Sequence, residues 1–162
     1  MQTSEIIHPI PPTYDENSRI LILGSFPSVK SREMMYFYGH PQNRFWKVVA
    51  ALYDEEVPMT VPERHAFLIR NRIAAWDSIR KCTITGSSDS SIKDVVPNDL
   101  TPILETADIE HIYCNGRKSW EMYHKYIEPT TGRPAIALPS TSPANAAWTL
   151  DKLIATWRVI VR

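Results

Sequence analysis

The chain is 162 residues long, which at about 100–200 residues per domain reads as one domain spanning 1–162. Its 13 prolines and 5 glycines are too few for a low-complexity chain, and 43% hydrophobic against 22% charged residues is ordinary for a globular one. Eighteen basic and eighteen acidic residues cancel, which excludes a generic polycation but leaves room for a local basic surface.

Residues 1–18, with Pro9, Pro11 and Pro12, read as an irregular arm lying on the domain. Arg19–Gly24 is a short apolar run ending at glycine and predicts a buried strand. Ser25–Ser28 forms the connection that follows. A helix is expected over Asn43–Tyr53, where Phe45, Trp46, Val49, Leu52 and Tyr53 recur at helical spacing. Pro62 opens a second helix through Arg72, in the first-turn position that proline tolerates. Ile73–Trp76 predicts a second strand. Thr83–Asn98 is polar, rich in Gly and Ser, and long for a simple connection, which points to function. Leu100–Thr106 is a short helix, His111–Gly116 a third strand, and a helix then runs to about Ile127. Pro134–Leu138 is a fourth strand, followed by the loop Pro139–Asn145 and a closing helix over Thr149–Val159.

Strands alternating with helices predict an α/β fold, a three-layer αβα sandwich around a four-stranded, mostly parallel sheet. Ligands of such sheets bind outside the carboxyl ends of the strands. The unusual residues of this chain gather there: Gly24–Pro27, the Thr83–Asn98 loop, Asn115-Gly116 and Pro139–Asn145.

Apolar runs such as Ile20–Leu23 and Ile136–Leu138 are far too short to span a bilayer, and a charged segment followed by an apolar one is missing at the N-terminus. The expectation is a cytoplasmic protein with no membrane partner. Cys82 and Cys114 are too few for a cysteine-rich metal or iron–sulfur site. They could form one disulfide, but an intracellular chain favours two buried thiols. Between Asn17 and Tyr53 stand five basic residues, Arg19, Lys30, Arg32, Arg44 and Lys47, against the single acid Glu33. Such a positive face suits a binder of phosphate backbones, and equally a solvated helix face.

Signatures for phosphoryl transfer, nicotinamide cofactors and metallopeptidases (a Walker A loop, GxGxxG, HExxH) are missing. Gly24-Ser25 is not a nucleophile elbow, although Ser25 with His40 or His111 leaves a serine hydrolase as one alternative. The densest segment is Tyr36–Trp46: three aromatics, His40-Pro41, then Gln42-Asn43-Arg44 leading into a helix. Asn43 suits a helix cap there, and the aromatics offer ring faces on which a planar base could stack.

Leu23-Gly-Ser-Phe-Pro-Ser28, His40-Pro-Gln-Asn-Arg-Phe-Trp46, Tyr113-Cys-Asn-Gly116 and Leu138-Pro-Ser-Thr-Ser142 together resemble the uracil-DNA glycosylase superfamily, and most closely its hypoxanthine-DNA (deoxyinosine) glycosylase branch. The resemblance spans roughly Arg19 to Trp157. It implies a single glycosylase domain that flips a deaminated base, chiefly hypoxanthine, out of duplex DNA and hydrolyses its N-glycosidic bond in base excision repair. It implies a monomer that needs no cofactor and no metal. Related branches carry a catalytic Asn or Asp in the first motif, where this chain has Phe26. The resemblance therefore moves the catalytic role to Asn43, whose amide would orient a water through its carbonyl.

Around Asn43 the same reading places Phe26 and Tyr38 as stacking aromatics, with Ser87 and Asp89 of Gly86–Ile92 lining the base pocket. Asn115 at a strand end would read the base edge through an amide that both donates and accepts. Lys30, Arg32 and Arg44 would attract phosphates, with the hydroxyls of Ser140, Thr141 and Ser142 gripping the backbone. Gly24, Ser25 and His40 support the site, and His111 is structural. The alternatives are a uracil-preferring or mismatch glycosylase and a catalytically silent binder of damaged DNA.

Overall fold

The structure is a computed structural model and describes residues 3–161. Four parallel strands form the central sheet, in the order β3-β2-β6-β7: Ile20–Gly24 (β2), Ile73–Asp77 (β3), His111–Asn115 (β6) and Ile136–Leu138 (β7). Ile20 lies opposite both Ile73 and His111, and Tyr113 opposite Ile136. All five residues of β2 are buried, which explains why that strand reads as an unbroken apolar run.

Its alternation builds the layers. Ile20 and Ile22 face one core, with Phe45, Trp46 and Val49 of Phe45–Leu52 (α2), Phe67 and Leu68 of Val61–Arg70 (α3), and Leu153 and Trp157 of Leu150–Trp157 (α7). Leu21 and Leu23 face the other, with Ile103 of Thr101–Thr106 (α4) and with Tyr123 and Ile127. Each such side chain contributes roughly 1.5–3 kcal/mol by leaving water. The Thr60–Glu63 capping box starts α3 and the Thr149 hydroxyl caps α7. Past β6, Arg117–Met122 (α5) continues through a π-helical turn at Tyr123–Ile127 into Glu128–Thr131 (α6).

Three features depart from the sequence expectations. Residues 1–18 are not all irregular: Thr3–Ile7 (β1) pairs antiparallel with Ile79–Thr85 (β4). Nor is Thr83–Asn98 one long loop, because β4 and Lys93–Pro97 (β5) complete a second sheet, β1-β4-β5, leaving a shorter connection over 86–92. Register shifts in the β4–β5 pairing break the simple alternation that marks a strand. Finally, Val29–Met34 forms a short helix (α1), capped by the Ser28 hydroxyl, directly after the Ser25–Ser28 connection, in a stretch to which the sequence pattern assigns no element. The small sheet buries Ile79, Cys82, Ile84 and Ile92 against Phe26. No helix among the described residues is long and apolar enough to cross a membrane.

Candidate active site

The carboxyl ends of β2, β3 and β6 open on one cleft of about 470 Å³, which the segment after β7, the start of α2 and the 86–92 connection complete. Gly24 ends β2 without a side chain for a steric reason. A Cβ there would stand 2.3 Å from Asp77 Oδ1, so any other residue would displace a carboxylate at the end of β3. Gly116 ends β6 at φ +97°, a conformation that L side chains rarely adopt, and turns the chain beside Ser140.

Asn43 lies at the entrance to α2, and one backbone N–H and one side-chain hydroxyl tie it down. Its Oδ1 accepts from the Phe45 N–H at 2.9 Å and from the Thr141 hydroxyl at 2.8 Å. Thr141 Oγ1 accepts in turn from Asn115 Nδ2 at 3.0 Å, and Asn115 Oδ1 accepts the Thr141 N–H at 3.0 Å. The backbone donor at Phe45 identifies which atom of the Asn43 amide is oxygen. Both lone pairs of that oxygen are therefore in use. This corrects the expected geometry: the carbonyl is committed to protein donors, and the Asn43 NH₂, unpartnered among the described residues, is the end left for the cleft.

Three residues expected to face phosphates are engaged elsewhere. Thr141 is fully buried and serves as the link between two amides rather than as a surface hydroxyl. The Arg44 guanidinium donates to the Ser142 carbonyl at 2.9 Å, to Asn145 at 3.1 Å, to Thr141 at 3.4 Å and to Trp148. It holds the 141–148 segment in shape and does not line the cleft. Arg32 is likewise committed to the Pro27 and Gly86 carbonyls and lies 5.7 Å from the Phe26 ring centroid, and desolvation lowers its pKa. Lys30 is exposed, with a surface partner in Glu33 at 3.5 Å. Ser140 and Ser142 do line the cleft, where their Oγ atoms accept the backbone N–H groups of Ser142 and Ala144.

On the opposite wall, Ser25 donates to Asp89 Oδ1 at 2.8 Å, and among the described residues no imidazole is in hydrogen-bond contact with it, so the Ser–His pairing of a serine hydrolase is not formed. Asp89 is exposed as a residue, but protein crowds its carboxyl in the cleft. Desolvation raises its pKa, against the lowering effects of the Ser25 hydroxyl and Lys118. Ser87 Oγ accepts the Val29 N–H at 2.9 Å and so braces the start of α1. Phe26 and Tyr38 both line the cleft. The Tyr38 ring stacks on Phe45, centroids 4.0 Å apart at 20°, with its backbone at φ 52°. Its hydroxyl is buried with no hydrogen-bond partner among the described residues, and burial followed by the nearby Asp77 charge pushes its pKa up, against the lowering effect of the neighbouring Asn115 amide. His40 lines the cleft too, its Nδ1 accepting the Gln42 N–H. His111 is exposed at the start of β6 and does not line it.

Sequence reasoning missed Asp77 and its partner His8 altogether. Asp77 is buried and lines the cleft, and His8 reaches it from the segment just past β1. Nothing local marks the pair, because the two residues stand far apart in the chain. Cys82 and Cys114 are free, buried thiols, pushed up by desolvation to about 11 and about 12, hence unreactive near neutral pH. Among the described residues, no group of three or more His, Cys, Asp or Glu could hold a metal ion.

This architecture and these motifs have relatives. The family model of the uracil DNA glycosylase superfamily matches residues 11–160. A hypoxanthine DNA glycosylase of Methanosarcina acetivorans is 34% identical over 154 residues, covering 94% of this chain and 96% of the relative. One of Methanosarcina barkeri is 34% identical over 137 residues, covering 83% and 85%. The solution NMR structure of a Methanosarcina acetivorans protein, provisionally described as a uracil DNA glycosylase, superposes with a TM-score of 0.79 at 33% identity, covering 97% of this chain and all of that one. The order of the four motifs, the parallel sheet with its cleft and these matches along nearly the whole length agree, and the chain belongs to the uracil DNA glycosylase superfamily.

Proposed function

We propose that the chain is a monofunctional DNA glycosylase that removes deaminated bases, chiefly hypoxanthine from deoxyinosine, at the start of base excision repair. The observation that carries this reading is the amide–hydroxyl–amide chain Asn115–Thr141–Asn43 at a cleft of about 470 Å³, together with relatives named for hypoxanthine. Hydrolysis breaks the bond between C1′ and the base, with the electron pair leaving on the base. A water oxygen then bonds to C1′ and gives up a proton to solvent, while the departed base anion takes one up, so the products are the abasic sugar hydroxyl and the neutral base. Because the sugar turns cationic before water adds, the protein needs to place the water rather than deprotonate it strongly.

Asn43 is suited to that task. Phe45 and Thr141 hold its oxygen, so the amide cannot rotate and its NH₂ presents a fixed donor to the water oxygen. Donation into the carbonyl also polarises the amide, which strengthens that N–H. The second Nδ2 hydrogen of Asn115 is not needed by Thr141 and is available to the departing base. Tyr38 and Phe26 supply the ring faces. Exposed Lys30 and half-buried Ser140 and Ser142 at the cleft are the groups placed to meet phosphates, whereas Arg32 and Arg44 act by shaping the backbone that carries them.

Pure protein incubated with duplexes containing inosine or uracil, followed by alkaline cleavage of abasic sites, tests the reading. Strand breaks at inosine are expected, and Asn43→Ala lowers their rate by roughly a hundredfold or more while duplex binding persists. No strand break at any deaminated base refutes the proposal. A uracil-preferring enzyme is the second reading, favoured by the description of the structural relative, and the same panel separates the two.

A further inference from the structure

Asp77 ends β3 inside the cleft and is held from two directions. Its side chain is 5% exposed and that of His8 1%, and His8 Nε2 meets Asp77 Oδ2 at 2.6 Å. The Ile10 N–H donates to His8 Nδ1 at 3.2 Å. That bond occupies the lone pair of Nδ1, so the ring proton belongs to Nε2 and is donated to Asp77. Phe26 and Trp76 stand edge-on to the imidazole, with centroids 5.8 and 6.1 Å away, and fix its orientation. On the other side, buried Asn98 donates its Nδ2 to the Asp77 backbone carbonyl at 2.8 Å.

Asp77 Oδ1 is the atom these contacts leave out. It has no hydrogen-bond partner among the described residues, and the missing side chain of Gly24 is what leaves it room. Asp77 is a buried residue, yet this oxygen is not closed off from solvent, so a donor can reach it through the cleft that Asp77 lines.

Building on the glycosylase reading above, we propose that Asp77 is a specificity-determining residue whose Oδ1 accepts a hydrogen bond from a ring N–H of the flipped base, with His8 as its positioning residue. Deamination changes that ring atom. Adenine carries a lone pair at N1, where hypoxanthine carries a hydrogen. Cytosine carries a lone pair at N3, where uracil carries a hydrogen. A fixed carboxylate oxygen repels the lone pair and forms a charge-assisted bond with the N–H. One acceptor thus separates the deaminated base from its parent in both ring classes.

The test is binding to duplexes carrying cleavage-resistant 2′-fluoroarabino analogues of deoxyinosine and deoxyadenosine. Asp77→Asn keeps an oxygen for His8 and turns an NH₂ donor into the cleft. The wild-type preference for the inosine analogue falls by roughly tenfold or more in this variant. His8→Phe keeps a ring, loses the N–H, and moves the preference part of the way. Structural damage alone weakens both duplexes alike, and differences in extrusion cost cancel when the two proteins are compared. A folded Asp77→Asn protein with an unchanged preference overturns the proposal.

Should that variant not fold, the wild-type protein decides with N1-¹⁵N-labelled hypoxanthine. An imino proton shifted downfield and protected from exchange is expected. One that exchanges as in the free base overturns the assignment. A wild-type protein that breaks no strand at inosine refutes the glycosylase reading, whereas normal release with an unchanged preference refutes the role of Asp77 alone.

Discussion

The two walls of the cleft are built in opposite ways. On the β6–β7 side, Thr141 is bonded to both amides, Asn43 and Asn115, and Arg44 ties down the carbonyls of the following segment. On the β2–β3 side, among the described residues, the buried Tyr38 hydroxyl has no partner and neither does Asp77 Oδ1, which stays open to the cleft. Native proteins satisfy nearly all buried polar groups, so the second wall is the unusual one. A completed network holds the Asn43 amide still before anything binds. An uncompleted one stores hydrogen-bonding capacity for whatever enters. Tyr38 adds backbone strain on the same side, with a left-handed φ of 52° in a residue other than glycine.

Thr141→Val is the sharpest way to break the completed wall. It keeps the shape but deprives Asn43 of one donor and Asn115 of an acceptor. Leaving such groups unsatisfied costs about 1–3 kcal/mol each, seen as a lower midpoint of unfolding, and strand cleavage at inosine falls with it; Thr141→Ser restores both. Arg44→Ala comes next. It frees several loop carbonyls and costs about 1–2 kcal/mol by denaturant unfolding. Because that guanidinium is committed to carbonyls, the salt dependence of DNA binding stays as it was; a flatter slope would return Arg44 to phosphate contact.

Tyr38→Phe probes the uncompleted wall and carries the opposite sign. Removing a buried hydroxyl without a partner raises stability by about 1 kcal/mol, read as a higher melting temperature, while the stack on Phe45 is kept. A drop in melting temperature would mean that the hydroxyl is satisfied after all. Lys30→Ala has the smallest effect. Its exposed pair with Glu33 contributes little to stability, so melting is unchanged. The slope of log affinity against log salt becomes shallower by about 0.9 if the lysine neutralises one phosphate.

The halves of the fold differed in how well the sequence announced them. Strands β2, β3 and β6 are buried on both faces and, like the edge strand β7, read as apolar runs, and α2, α3 and α7 carry apolar stripes, two of them behind a cap. The small sheet has neither mark. Strand β1 has no buried residue, and register shifts in β4 and β5 scramble the period of two. Within the site, motif spacing brought out Asn43, Asn115 and the loop hydroxyls as residue types. It did not say that Thr141 turns inward, or that Arg32 and Arg44 are spent on carbonyls, because a side chain's partner is chosen by segments distant in the chain.

By itself the sequence determined the layered architecture, the end of the sheet where the cleft opens and the family, because apolar periodicity and motif order survive in one dimension. Only the tertiary structure decided which atom of Asn43 is free, which cations remain available and that His8 meets Asp77. Those outcomes depend on which donor and acceptor lie within about 3 Å of each other once the chain has folded, a distance that no local pattern encodes.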